Sequence, residues 1–103
     1  MNIKTEKQGN KMTVNLNGRL DTMTAPEMES KVLGNLDGIE ELILDLSELS
    51  YMSSAGLRVI LACQKKINAA QGSMVVKNVN ELIMDIFDAT GFIDILTIEN
   101  EES

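Results

Sequence analysis

The chain has 103 residues, 44% of them hydrophobic and 24% charged, a globular composition sufficient for a single domain over residues 1–103 but not for a catalytic domain joined to a second one. A net charge of −7 and a 3% aromatic content without Trp argue against nucleic acid or an anionic membrane surface as partner and favour a protein with a basic patch. One cysteine, Cys63, and no histidine exclude an internal disulfide, a Cys/His zinc cluster and imidazole catalysis.

From the N-terminus, Ile3 to Thr5 and Met12 to Leu16 alternate apolar and polar residues around a Gly9-Asn10 turn, which predicts a β-hairpin. Gly18-Arg-Leu-Asp21 ends it. Thr24-Ala-Pro-Glu27 then matches a capping box with Pro in the first helical turn. Met28, Val32 and Leu36 continue as one apolar stripe until Asp37-Gly38. Ile39 to Leu46 reads as the central strand, because Leu42-Ile-Leu-Asp-Leu46 is too apolar for a half-exposed one.

Leu57, Ile60, Leu61, Gln64 and Ile67 mark a second helix that stops before Gly72, so Ser53 or Ser54 sits at its N-terminus. Met74 to Val76 predicts a buried strand, Asn80 to Phe87 a third helix stopped by Gly91, and Phe92 to Ile98 a last strand, with Glu99 to Ser103 frayed. The order is β-β-α-β-α-β-α-β, an α/β fold with a mixed sheet whose helices lie mainly on one face. No secretory segment and no run long enough to span a bilayer is present, so a cytoplasmic location is expected.

The chemistry concentrates in Tyr51-Met-Ser-Ser-Ala-Gly-Leu57, where two hydroxyls and two small residues meet at a strand-to-helix junction. Ser is a common helix cap; a phosphoserine at the same place would be held by free backbone N–H groups and the helix dipole. Capping and switching are compatible.

Gly18-Arg-Leu-Asp21 with Thr24-Ala25, Leu44-Asp-Leu-Ser47, Tyr51 to Leu57, Gly72 and Gly91-Phe92 together resemble the STAS family of bacterial anti-sigma factor antagonists over nearly the whole chain. The resemblance implies a STAS-like sheet of four or five strands, a regulator of transcription without enzymatic activity or cofactor, and a partner-switching cycle. In that cycle the unphosphorylated antagonist binds an anti-sigma factor that is also a serine kinase, sigma factor is freed, phosphorylation releases the antagonist, and a PP2C-type phosphatase resets it. The acceptor position falls on Ser54, with Ser53 the second candidate and otherwise a cap or contact residue. Where well-studied members carry Asp before the acceptor, this chain has Ser53.

The resemblance also assigns partner contacts to Asp21, Thr24, Ser53, Ser54, Ala55, Gly56 and Leu57. Stressosome components and small subunits of lipid ABC transport systems use the same fold and are the alternative. A receiver-type phosphoacceptor would need Asp45 at a strand end beside an early acidic pair, which is missing, and Asp45 reads instead as a hydrogen-bonded strand-end residue. A serine hydrolase would need histidine or a Gly-x-Ser-x-Gly setting around Ser54. Cys63 reads as an inert packed thiol, and no metal ligands are expected.

Overall fold

The computed structural model describes residues 1–100. Strands β1 (Asn2–Gln8) and β2 (Lys11–Leu20) form the predicted hairpin, in which Gln8 pairs with Lys11 across a two-residue turn and Gly9 takes φ +61°. Helix α1 (Ala25–Lys31), strand β3 (Glu41–Met52), helix α2 (Ser54–Ala69), strand β4 (Ser73–Lys77), helix α3 (Glu81–Thr90) and strand β5 (Thr97–Glu99) follow. The five strands lie in sequence order, β1 antiparallel to β2 and the rest parallel. This is the mixed sheet predicted.

Register shows why one face is covered. Met12, Leu42 and Met74 stand side by side, as do Val14, Leu44 and Val76, and all six are buried. The same apolar cluster takes in Met28 of α1, Ile60, Cys63 and Ile67 of α2, and Ile83 and Phe87 of α3. On the opposite face the corresponding rows run Glu6, Thr13, Ile43, Val75, Thr97 and then Lys4, Asn15, Asp45, Lys77, Glu99. Strand alternation thus sends the apolar set to the helices and a largely polar set outward.

Five local expectations need correction. The predicted stripe of Met28, Val32 and Leu36 is buried, but α1 ends at Lys31 and a 3-10 turn at Leu33–Asn35 carries the chain on. β3 continues to Met52, well past Leu46. Pairing with β2 slips between Asn15 and Asn17, where Asp45 Oδ1 accepts from Ser47 N at 2.9 Å, and the slip breaks the simple alternation on which the sequence reading relied. Asp45 is therefore a mid-strand residue at a bulge.

The last strand is shorter than Phe92 to Ile98. Gly91 at φ +79° turns the chain into a 3-10 turn at Phe92–Asp94, and only Thr97–Glu99 pairs with β4. Glu99 is in that strand and the Asn100 side chain accepts from Val79 N at 2.8 Å, so neither frays; residues 101–103 lie outside the described residues. Gly72 does more than stop α2: Gln71 already makes the left-handed turn at φ +59°, while a Cβ on Gly72 would meet the Glu40 carbonyl carbon at 2.9 Å.

Candidate functional site

In each crossover a parallel strand ends and a helix begins at the same edge of the sheet, so the β2–α1 turn and the β3–α2 junction are neighbours there. Ser53 N donates to Leu20 O at 2.9 Å, tying the junction to the end of β2. Gly56 closes the seam. A Cβ there would stand 2.6 Å from Leu20 Cγ and 3.0 Å from Leu20 O, so a side chain at this position would force the first turn of α2 away from β2.

Asp21 is consumed by its own turn. Its Oδ1 accepts from Met23 N at 3.0 Å and Thr24 N at 3.2 Å, and Thr24 Oγ1 lies at 3.3 Å. Partial burial pushes the Asp21 carboxyl up, but the Met23 and Thr24 amides, the Thr24 hydroxyl and the Arg19 guanidinium together hold it below 3.8. Arg19 Nε stands 3.7 Å from Asp21 Oδ2, and its guanidinium carbon is 4.4 Å from the centre of the Tyr51 ring. The cation thus bridges the two strand ends.

The expected capping box at Thr24 does not form. Thr24 Oγ1 donates to Arg19 O at 2.7 Å and accepts from Asp21 N at 2.9 Å, and no side-chain bond caps α1 from Thr24. Asp21, three residues earlier, holds instead the Met23 and Thr24 amides that precede the helix. Met23 is left pointing into solvent, 86% exposed.

The two serines behave oppositely. Ser53 occupies the N-cap position of α2 with extended backbone, yet its hydroxyl makes no cap bond and is buried without a partner. Its expected capping role is therefore absent. Ser54 is the first residue of α2 and is exposed, and among the described residues its hydroxyl is not engaged, by Asp21 or by anything else. Ala55 is half-buried, while Gly56 and Leu57 are buried. The structure brings Asp21, Thr24, Ser53, Ser54 and Ala55 to one edge, with Gly56 and Leu57 beneath as packing.

Sequence reasoning passed over Arg58 and Met23. Arg58 is exposed one helical turn after Ser54, in the i, i+4 relation that lets a side chain reach back; that spacing was readable. The groove beside it between α1 and α2, about 180 Å3 and lined by Glu29, Leu33, Arg58, Val59 and Ala62, is open and carries no nucleophile. Among the described residues no three His, Cys, Asp or Glu side chains gather as a metal site. Burial pushes the Cys63 thiol up to about 12, with Lys66 opposing weakly, so it is protonated at neutral pH.

Comparison with known proteins agrees with this layout. A model of the STAS domain matches residues 2–103. The anti-sigma-B factor antagonist of Bacillus subtilis (strain 168) is 31% identical over 98 residues, covering 95% of this chain and 90% of that protein. The anti-sigma factor antagonist SpoIIAA in its unphosphorylated form superimposes with TM-score 0.78 at 16% identity, covering 98% of this chain and 90% of that one. SpoIIAA of Bacillus in its phosphorylated form gives 0.79 at 17% identity, with 99% and 93% covered. No helix of the described residues is long and apolar enough to cross a membrane.

Proposed function

This chain belongs to the STAS domain family, and from that premise we propose that it is a cytoplasmic anti-sigma factor antagonist switched by phosphorylation of Ser54. Its partner in this reading is an anti-sigma factor that is also a serine kinase, and a PP2C-type phosphatase reverses the modification. The edge formed by Asp21, Thr24, Ser53, Ser54 and Ala55, with the exposed Met23 beside them, is the docking face. Gly56 and Leu57 hold that face in shape rather than touching the partner.

The observation that carries the reading is the contrast within the serine pair. Ser54 offers an exposed, unengaged hydroxyl at the first turn of a helix whose N-terminal amides no side chain occupies, whereas the hydroxyl of Ser53 is buried. A phosphate on Ser54 meets the positive end of the helix dipole and has Arg58 one turn away, so the fold accommodates it. The partner does not. A phosphoserine brings about −1.5 to −2 charges, and each unit at roughly 5 Å from a partner carboxylate, in an effective dielectric of 20, repels by on the order of 3 kcal/mol before screening. About 1.4 kcal/mol is tenfold in affinity, which empties a micromolar interface without unfolding anything.

The test is a pull-down from lysate of the source cells with tagged Ser54→Ala and Ser54→Asp proteins, read by mass spectrometry. We expect Ser54→Ala to retain an ATP-binding serine kinase that Ser54→Asp loses, and the wild-type phosphopeptide to carry its phosphate on Ser54. Equal retention of a transport ATPase by both variants would overturn the sigma-factor reading and leave the family assignment standing.

A further inference from the structure

Charge is distributed very unevenly along the chain. Residues 1–77 hold nine Asp and Glu against nine Lys and Arg, so residues 78–103, with seven acids and no Lys or Arg, carry the whole net charge of −7. The large exposed hydrophobics fall in the same stretch: Leu82 at 51%, Ile93 at 38% and Ile95 at 50%, with Met23 beside the serine site as the exception. Acidic and apolar exposure therefore coincide.

Helix α3 shows how they are arranged. Ile83 and Phe87 are its buried residues, and Leu82, half-buried Ile86 and exposed Ala89 form a shoulder beside them. Glu81, Asp85 and Asp88 form a crest on the side away from the core. After Gly91 the turn packs back against α3 and adds Ile93, Asp94 and Ile95, all exposed. The shoulder begins at the Ser54 edge of the sheet and runs away from it, so Ile93 and Ile95 lie at the far end.

We propose that the outer face of α3 with the turn at Phe92–Asp94 is a second docking surface, whose occupant is a cationic amphipathic helix of a partner protein. Charge complementarity selects that occupant. An apolar stripe on the incoming helix covers Leu82, Ile86, Ile93 and Ile95, while its flanking Lys or Arg residues meet the acidic crest. A second copy of this chain would set crest against crest, and an anionic lipid surface would be repelled. Because the far end of this surface is remote from Ser54, its partner stays bound whether or not the serine is phosphorylated.

The probe is a fluorescein-labelled Leu/Lys amphipathic peptide of about 15 residues, long enough to form a helix against α3, with a Gln/Lys peptide of equal charge as control. Anisotropy titration of the full chain should show the Leu/Lys peptide binding at least about tenfold tighter than the control. Leu82→Ser/Ile95→Ser, checked for native circular dichroism, and Asp85→Lys/Asp88→Lys should each weaken it roughly tenfold or more, while Ser54→Asp leaves it within about twofold. Equal binding of the control peptide, or full binding by the Leu82→Ser/Ile95→Ser protein, would overturn the proposal by reducing it to a general acidic field. Sedimentation of the peptide-free wild type as a dimer that Leu82→Ser/Ile95→Ser abolishes would overturn it in favour of self-association. Neither result depends on the Ser54 switch.

Discussion

The starts of α2 and α3 have nearly the same backbone and make opposite use of it. Ser53 stands at φ −98°, ψ 176° and Asn80 at φ −75°, ψ 171°, each the last extended residue before its helix. Asn80 spends both ends of its amide: Oδ1 accepts from Ile83 N at 2.9 Å and Nδ2 donates to Leu49 O at 2.7 Å. Ser53 spends only its backbone, with N bonded to Leu20 O and Oγ unpartnered. One helix start is sealed for stability, and the other has its amides free for an incoming anion.

Removing the seal on α3 should have the largest effect. Asn80→Ala deletes a cap, about 1 kcal/mol, and strands the carbonyl of Leu49, itself only 1% exposed, for about 1 to 2 kcal/mol more. Equilibrium urea unfolding should therefore show a loss of about 2 to 3 kcal/mol. A loss below about 0.5 kcal/mol would erase the contrast between the two helix starts.

The Asp21 turn gives a smaller, pH-dependent signal. Its folded pKa is lowered, so its contribution to stability is present above the unfolded value and disappears as pH falls through the folded one. Urea midpoints measured from about pH 6 downward, through the range in which an ordinary carboxylate takes up its proton, should fall on acidification in wild type. The fall should be shallower in Asp21→Asn, which keeps the oxygen acceptor and loses the charge. Parallel curves for the two proteins would show that the turn does not depend on an ionised Asp21.

Ser53→Ala should change least. Deleting an unpartnered buried hydroxyl removes no bond, so the unfolding free energy should stay within about 0.5 kcal/mol of wild type or rise slightly. A loss near 1 kcal/mol, the usual cost of removing a Ser cap, would mean that Ser53 caps α2 in solution and that the two starts are alike after all.

Much of the fold was legible because the signals were local. The Gly9-Asn10 turn, the Met28, Val32, Leu36 stripe and the Asn80 helix start all read correctly from neighbours in the chain. The errors came where distant contacts decide. β3 runs past Leu46 because its pairing with β2 resumes beyond a bulge, and Phe92 to Leu96 leaves the strand for tight turns closed by Leu96 N on Phe92 O at 2.9 Å. At the candidate site, spacing put both serines at a helix start but gave them the same prospects. The folded structure distinguishes them, burying one hydroxyl and leaving the other residue in solvent.

By itself the sequence determined the element order, the acidity of the C-terminal quarter and the placing of Ser53-Ser54 at a strand-to-helix junction, since periodicity, charge and capping chemistry act over a few residues. Tertiary structure decided which serine is exposed and that Gly56 and Gly72 are seams where backbones pass. Those depend on residues that approach only when β2, β3 and their helices are packed, and no local pattern encodes a distance across the sheet.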